Sequence, residues 1–197
     1  VKVDPRNVGA LVGQGEVLYA DTRCTDALSR FGEALNKDPN SLSATVGSAK
    51  SKVCLEQLAD AKTQLQSARQ KAPKDLSVAL WLARVEEALG NKKPAEEMYG
   101  LAVDLSTAEN AEAVQAYAGF AKFLAAQGRA AEAAAKMDQA KTKLPDSATL
   151  QRAFGEFADT QGQFAQAIEH YENALGKNPG DIGTRFRLGM TYLKMHK

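Results

Sequence analysis

Few side chains in this chain of 197 residues are suited to chemistry. Cys24 and Cys54 can stand as two small buried thiols or join as a disulfide. Neither has a partner at zinc-ligand spacing and no CxxC occurs, so no metal site is expected. Of the two histidines, His170 falls on the outer face of a helix and His196 is next to the last residue. There is no HExxH, no glycine-rich phosphate loop and no GxSxG. No catalysis and no cofactor are therefore expected. What remains is a basic series, Lys50, Arg84 and Lys122, whose steps are 84 − 50 = 34 and 122 − 84 = 38, and a single tryptophan, Trp81.

Composition excludes several partners. Lys plus Arg number 25 and Asp plus Glu 24, a formal net charge of +1. That balance gives no reason to expect nucleic acid or an anionic membrane surface. No window approaches the roughly eighteen consecutive apolar residues that a bilayer span requires. The chain is 44% hydrophobic and rich in Ala, Leu, Gln, Glu and Lys, without β-branched runs. These are helix formers.

The elements that position these residues recur. Pro5, Pro39, Pro73, Pro145 and Pro179 are separated by 34, 34, 72 and 34 residues, and 72 is 34 + 38. Three columns step in phase with them. One is Ala27, Ala61, Ala95, Ala133 and Ala167. The next is Phe31, Leu65, Tyr99, Met137 and Tyr171. The third is Ala34, Ala68, Ala102, Ala140 and Ala174. Each set lies on one helical stripe, where small residues admit a neighbouring helix and the bulky one fills the gap. Gly15, Gly155 and Gly189 recur where helices must approach closely. Behind the prolines stand Asn40-Ser41, Asp75, Asp146-Ser147 and Asp181, all suited to cap a following helix. Pro94 fits a first helical turn. The third junction carries four extra residues and Ser106-Thr107-Ala108-Glu109, which reads as a capping box. It predicts a helix starting near Thr107 and about one turn longer than its counterparts, with a loop insertion as the alternative.

This pattern resembles the tetratricopeptide repeat family, in which a first helix with Leu-Gly is followed by an Ala, an aromatic four residues on and a closing Pro. The resemblance covers residues 1–197 as one array. Five repeats fit, 8–41, 42–75, 76–113, 114–147 and 148–181, and 182–197 matches the first helix of a sixth. Val1 to Asn7 reads as the tail of an earlier repeat, so a segment of a longer protein is expected. First-helix columns match less closely, with Gln14 and Ser48 at leucine positions.

The resemblance implies an all-α, right-handed α-solenoid of antiparallel helix pairs. It implies a scaffold that binds a protein or peptide segment in a concave groove lined by the first helices. The residues assigned to that face are Val12, Tyr19, Val46, Lys50, Leu80, Trp81, Arg84 and Lys122. Apolar walls and a basic floor suit an acidic segment, although the same charges can pair with one another. Trp81 is either an exposed anchor or packed between helices. The Lys and Asn set of the co-chaperone repeats is absent at Val12, Glu16, Gly47, Ser77 and Trp81. The asparagine ladder of the O-linked N-acetylglucosamine transferase is absent at Gly13, Gly47, Trp81, Gly119, Ala153 and Arg187.

Cys24 begins a second helix and Cys54 ends the next first helix, at one edge of the stack. A disulfide there implies an oxidising compartment such as the bacterial periplasm; free thiols leave the cytoplasm open. The alternative reading is a periplasmic repeat segment of a bacterial exopolysaccharide export or secretion apparatus.

Overall fold

The computed structural model describes residues 7–108 and 112–196. Pro5, most of the expected upstream tail and Glu109 of the capping box lie outside them. Eleven helices and no strand occur among the described residues. The first helices are α1 (Val8–Ala20), α3 (Leu42–Cys54), α5 (Leu76–Ala88), α7 (Ala113–Ala126), α9 (Ala148–Thr160) and α11 (Ile182–Met195). The second helices are α2 (Cys24–Lys37), α4 (Leu58–Lys71), α6 (Lys92–Asp104), α8 (Ala130–Lys143) and α10 (Phe164–Lys177). The chain forms two compact units, Val1–Leu105 and Ser106–Lys197. In the first unit each helix packs on the next, and α1, α3 and α5 also pack side by side; in the second, α7 packs beside α9. This nearest-neighbour pattern is that of an α-solenoid.

Caps and turns set these boundaries. Ser41, Asp75, Ser147 and Asp181 accept from the amides of Ala44, Val78, Leu150 and Thr184. Those amides have no partner inside their own helix, so each cap contributes about 1 kcal/mol. Between the helices of each pair, one residue turns left-handed: Thr22, Glu56, Gly90, Gly128 and Gly162. Glycine occupies that conformation without strain. Thr22 and Glu56, both with φ of 60°, hold it at a cost of about 1–2 kcal/mol each. Cys24 and Cys54 lie two residues from these two turns and are joined to each other, with Cα atoms 6.2 Å apart. The cross-link spans 30 residues and restricts the unfolded chain by about 3.6 kcal/mol.

The junction before α7 departs from the expected long helix. Ser106 to Ala108 are not helical, and α7 starts at Ala113 with no side-chain cap. An added turn there would have no apolar stripe to bury, and an isolated turn does not sustain itself in water.

All fifteen side chains of the three columns are at most 5% exposed. For Phe31 and Tyr171 the packing depends on missing side chains opposite. A Cβ on Gly15 would lie 2.7 Å from the Phe31 ring, one on Gly47 2.2 Å from it, and one on Gly155 2.6 Å from the Tyr171 ring. Phe31 is thus clasped by two glycines from successive first helices. Gly189 is different: nothing lies within 4 Å of a Cβ placed there. Its helix, α11, leaves Phe186 68% exposed.

The two kinds of glycine predict opposite signs. Gly47→Ala forces the Phe31 ring aside and costs about 1–3 kcal/mol, which exceeds the ~1 kcal/mol that alanine gains in a helix interior. Gly13→Ala meets nothing within 4 Å and stabilises by about 0.5–1 kcal/mol. Urea unfolding of the two variants checks this; effects of equal sign contradict it.

Candidate partner-binding site

In the first unit, positions 34 residues apart become neighbours because α1, α3 and α5 lie side by side. Glu16, Lys50 and Arg84 share one such row. Lys50 Nζ lies 3.2 Å from Glu16 Oε1 and 5.6 Å from the centre of the Trp81 ring. The Arg84 guanidinium lies 4.6 Å from that centre. Two cations over one indole exploit the negative face of its π-system. Tyr19, half-buried, completes the cluster. Burial pushes its phenol pKa up, Arg84 lowers it and Glu16 raises it again. Nearby, the Tyr99 hydroxyl donates to Glu87 Oε2 at 2.6 Å. Burial and that bond push its pKa far above the usual phenol value.

The structure therefore brings Tyr19, Lys50, Trp81 and Arg84 together. It corrects two assignments. Leu80 is 0% and Val46 5% exposed, so both belong to the core and offer no wall to a partner; α5 is buried along most of its length. Val12 is half-buried against Leu11, Ala34 and Ala44. Trp81 is 9% exposed, a ring packed between helices and lidded by cations. Lys50 is already compensated by Glu16.

Lys122 belongs to the second unit, where it is exposed and lines a cavity of about 220 Å³ with Glu156, Asp159 and Arg187. Several charges of this unit's first helices pair with one another or with the cap residue Asp181. Glu156 accepts from Arg187 at 3.0 Å and lies 3.8 Å from Arg152. Arg152 also meets Asp181 at 3.2 Å, and Lys194 pairs with Asp159.

A larger cavity of about 590 Å³, bordered by α8, α9 and α10, was not legible in the sequence. Phe154 and Phe157 of α9 line it, with Ala134 of α8 and His170 of α10. His170 stacks on Phe154, ring centres 5.2 Å apart, rather than pointing away on an outer face. Its Nδ1 lies 2.9 Å from Gln151 Oε1. Burial lowers the His170 pKa, so the neutral ring is favoured. The only signal in the sequence was the step of 16 from Phe154 to His170, equal to that from Gly155 to Tyr171, which sets the two residues beside an occupied core contact. Among the described residues, no group of His, Cys, Asp or Glu is arranged to hold a metal. No helix among them is long and apolar enough to cross a membrane.

The architecture is a stack of two-helix repeats with small-to-large interlocking. It is the tetratricopeptide-repeat fold, and solved structures of that class share it. A thermophilic tetratricopeptide-repeat protein from Thermus thermophilus superposes with a TM-score of 0.79 at 21% identity, covering 95% of this chain and 100% of that one. A tetratricopeptide repeat protein from Parabacteroides merdae gives 0.73 at 18%, covering 95% and 72%. YrrB, a repeat protein described as having an unusual peptide-binding site, gives 0.52 at 20%, covering 93% and 92%. No family model and no curated protein matches the chain.

Proposed function

We propose that this chain is a scaffold without chemistry of its own, which binds a partner polypeptide across α1, α3 and α5. The observation that carries the reading is the Trp81 cluster. Arg84 and Lys50 are held over one indole, and a cation so positioned loses little freedom when it meets a carboxylate. The partner segment is acidic and displaces Glu16 from Lys50. The peptide-binding site of YrrB supports the general class.

Trp81 is the sole tryptophan, so its emission reports the site. Titration with acetyl-Asp-Glu-Leu-Asp-Glu-amide is expected to change that emission saturably, while acetyl-Lys-Lys-Leu-Lys-Lys-amide leaves it unmoved. Arg84→Ala weakens the acidic peptide about tenfold. Glu16→Gln removes the competing carboxylate and tightens it by roughly threefold. Equal responses to the two peptides, or no gain from Glu16→Gln, overturn the reading.

A second reading rests on the bond between Cys24 and Cys54. Disulfides persist in oxidising compartments and are rare in the cytosol. The reading is a periplasmic repeat segment of a bacterial exopolysaccharide export or secretion apparatus, which gathers the other components. Thiol titration in denaturant, on protein recovered unreduced from its native compartment, is expected to find no free thiol. Two free thiols contradict it.

A further inference from the structure

We propose that the cavity bordered by α8, α9 and α10 is a second binding site, one that takes a tryptophan or tyrosine side chain of an extended partner polypeptide. Its origin is a loose repeat junction. Where α2 meets α3, and α10 meets α11, second helix and following first helix touch extensively; α8 meets α9 only sparsely, although α7 still packs on α9. The fourth and fifth repeats are thus joined through their first helices and splayed at their second ones. The gap of about 590 Å³ is in the range of small-ligand pockets.

The chemistry of the gap is an aromatic floor with one directed acceptor. Phe154 and Phe157 supply the floor. The acceptor follows from a chain of hydrogen bonds. Lys177 pairs with Asp146 at 2.9 Å, and Gln151 Nε2 donates to Asp146 Oδ1 at 2.7 Å. Gln151 therefore turns its carbonyl oxygen to His170 and accepts from Nδ1–H. The proton sits on Nδ1, and Nε2 is left as an acceptor. No group among the described residues hydrogen-bonds Nε2. A guest ring that stacks on the floor and carries its own N–H or O–H satisfies it; a phenylalanine ring does not.

The rim indicates a polypeptide rather than a free small molecule. Gln163, Gln166, His170 and Asn173 line the cavity and step by three, four and three residues, so they form one stripe along α10. Ten residues of helix rise about 15 Å, which matches four to five residues of extended chain. Side-chain amides offer both donors and acceptors, as a peptide backbone requires. The charged groups facing His170 are Asp138 and Lys141 of α8, Asp146 before α9, and Glu169 of α10. Asp146 is held below the usual carboxylate range by Gln151 and Lys177. Imidazole is the side chain whose ordinary titration lies near pH 6, so a change of affinity in that range belongs to His170.

The test uses the whole chain and three probes: acetyl-Gly-Ser-Trp-Ser-Gly-amide, its phenylalanine counterpart, and N-acetyltryptophanamide. NMR of the His170 ring reads the site. The tryptophan pentapeptide is expected to shift the His170 resonances saturably and to bind about fivefold tighter than either other probe, the difference one hydrogen bond makes. Its affinity falls as pH drops through the His170 pKa, below about 6.5, where Nε2 becomes a donor. Gln166→Ala on the exposed rim weakens it about threefold. Ala134→Phe, which fills the gap, weakens it at least tenfold; should that variant unfold, Gln166→Ala decides. An unmoved His170 signal, or equal affinity for the tryptophan and phenylalanine peptides, overturns the proposal. Equal affinity for N-acetyltryptophanamide makes this a small-molecule site and overturns it too. The site shares no residue with the Trp81 cluster, so either can fail alone.

Discussion

A bulky side chain set against the bare backbone of a first helix, Phe31 in the first repeat and Tyr171 in the fifth, holds these helices in register. Phe31 touches the bare backbone of Gly15 and Gly47, and Tyr171 that of Gly155. The flanking alanines are fully enclosed, which lets the helices close to backbone contact. A helix pair has no other means of burying its apolar stripe, so each pair depends on the next. Dispersion over such close contacts is small per atom and large in sum. On α11, Phe186 and Leu193 lie open to water.

That constraint leaves the first-helix faces free to differ. In the first unit, the row of Glu16, Lys50 and Arg84 surrounds an indole that is itself nearly core. In the second, Glu156 of the same row pairs with both Arg152 and Arg187. The turns differ in a similar way. Glycine occupies the left-handed position at Gly90, Gly128 and Gly162, whereas Thr22 and Glu56 occupy it beside the one disulfide.

Periodicity revealed most of the fold. The three columns, the caps at Ser41, Asp75, Ser147 and Asp181, and the positions of Cys24 and Cys54 at helix ends follow from spacing alone, because each rests on local geometry repeated several times. The region after Leu105 did not yield, since a capping-box sequence can cap a helix only if that helix has something to bury. The candidate site was less legible. Spacing puts Lys50, Trp81 and Arg84 on one face, but it cannot tell a wall from a core. Leu80 and Val46 turned out enclosed for that reason. The cavity beside Phe154 and His170 opens where α8 and α9 touch only sparsely, a property of one junction rather than of the repeat.

The coupling between Phe31 and its glycines is what holds these helices in register, and a double-mutant cycle measures it directly. Phe31→Leu, Gly47→Ala and the double variant are compared by urea unfolding. Removing the ring relieves the crowding that the added methyl causes, so the double variant is predicted to be more stable than the sum of the single losses implies, by about 1 kcal/mol or more. Strictly additive losses would show that the ring and the bare backbone do not depend on each other, and the interlocking described here would be wrong.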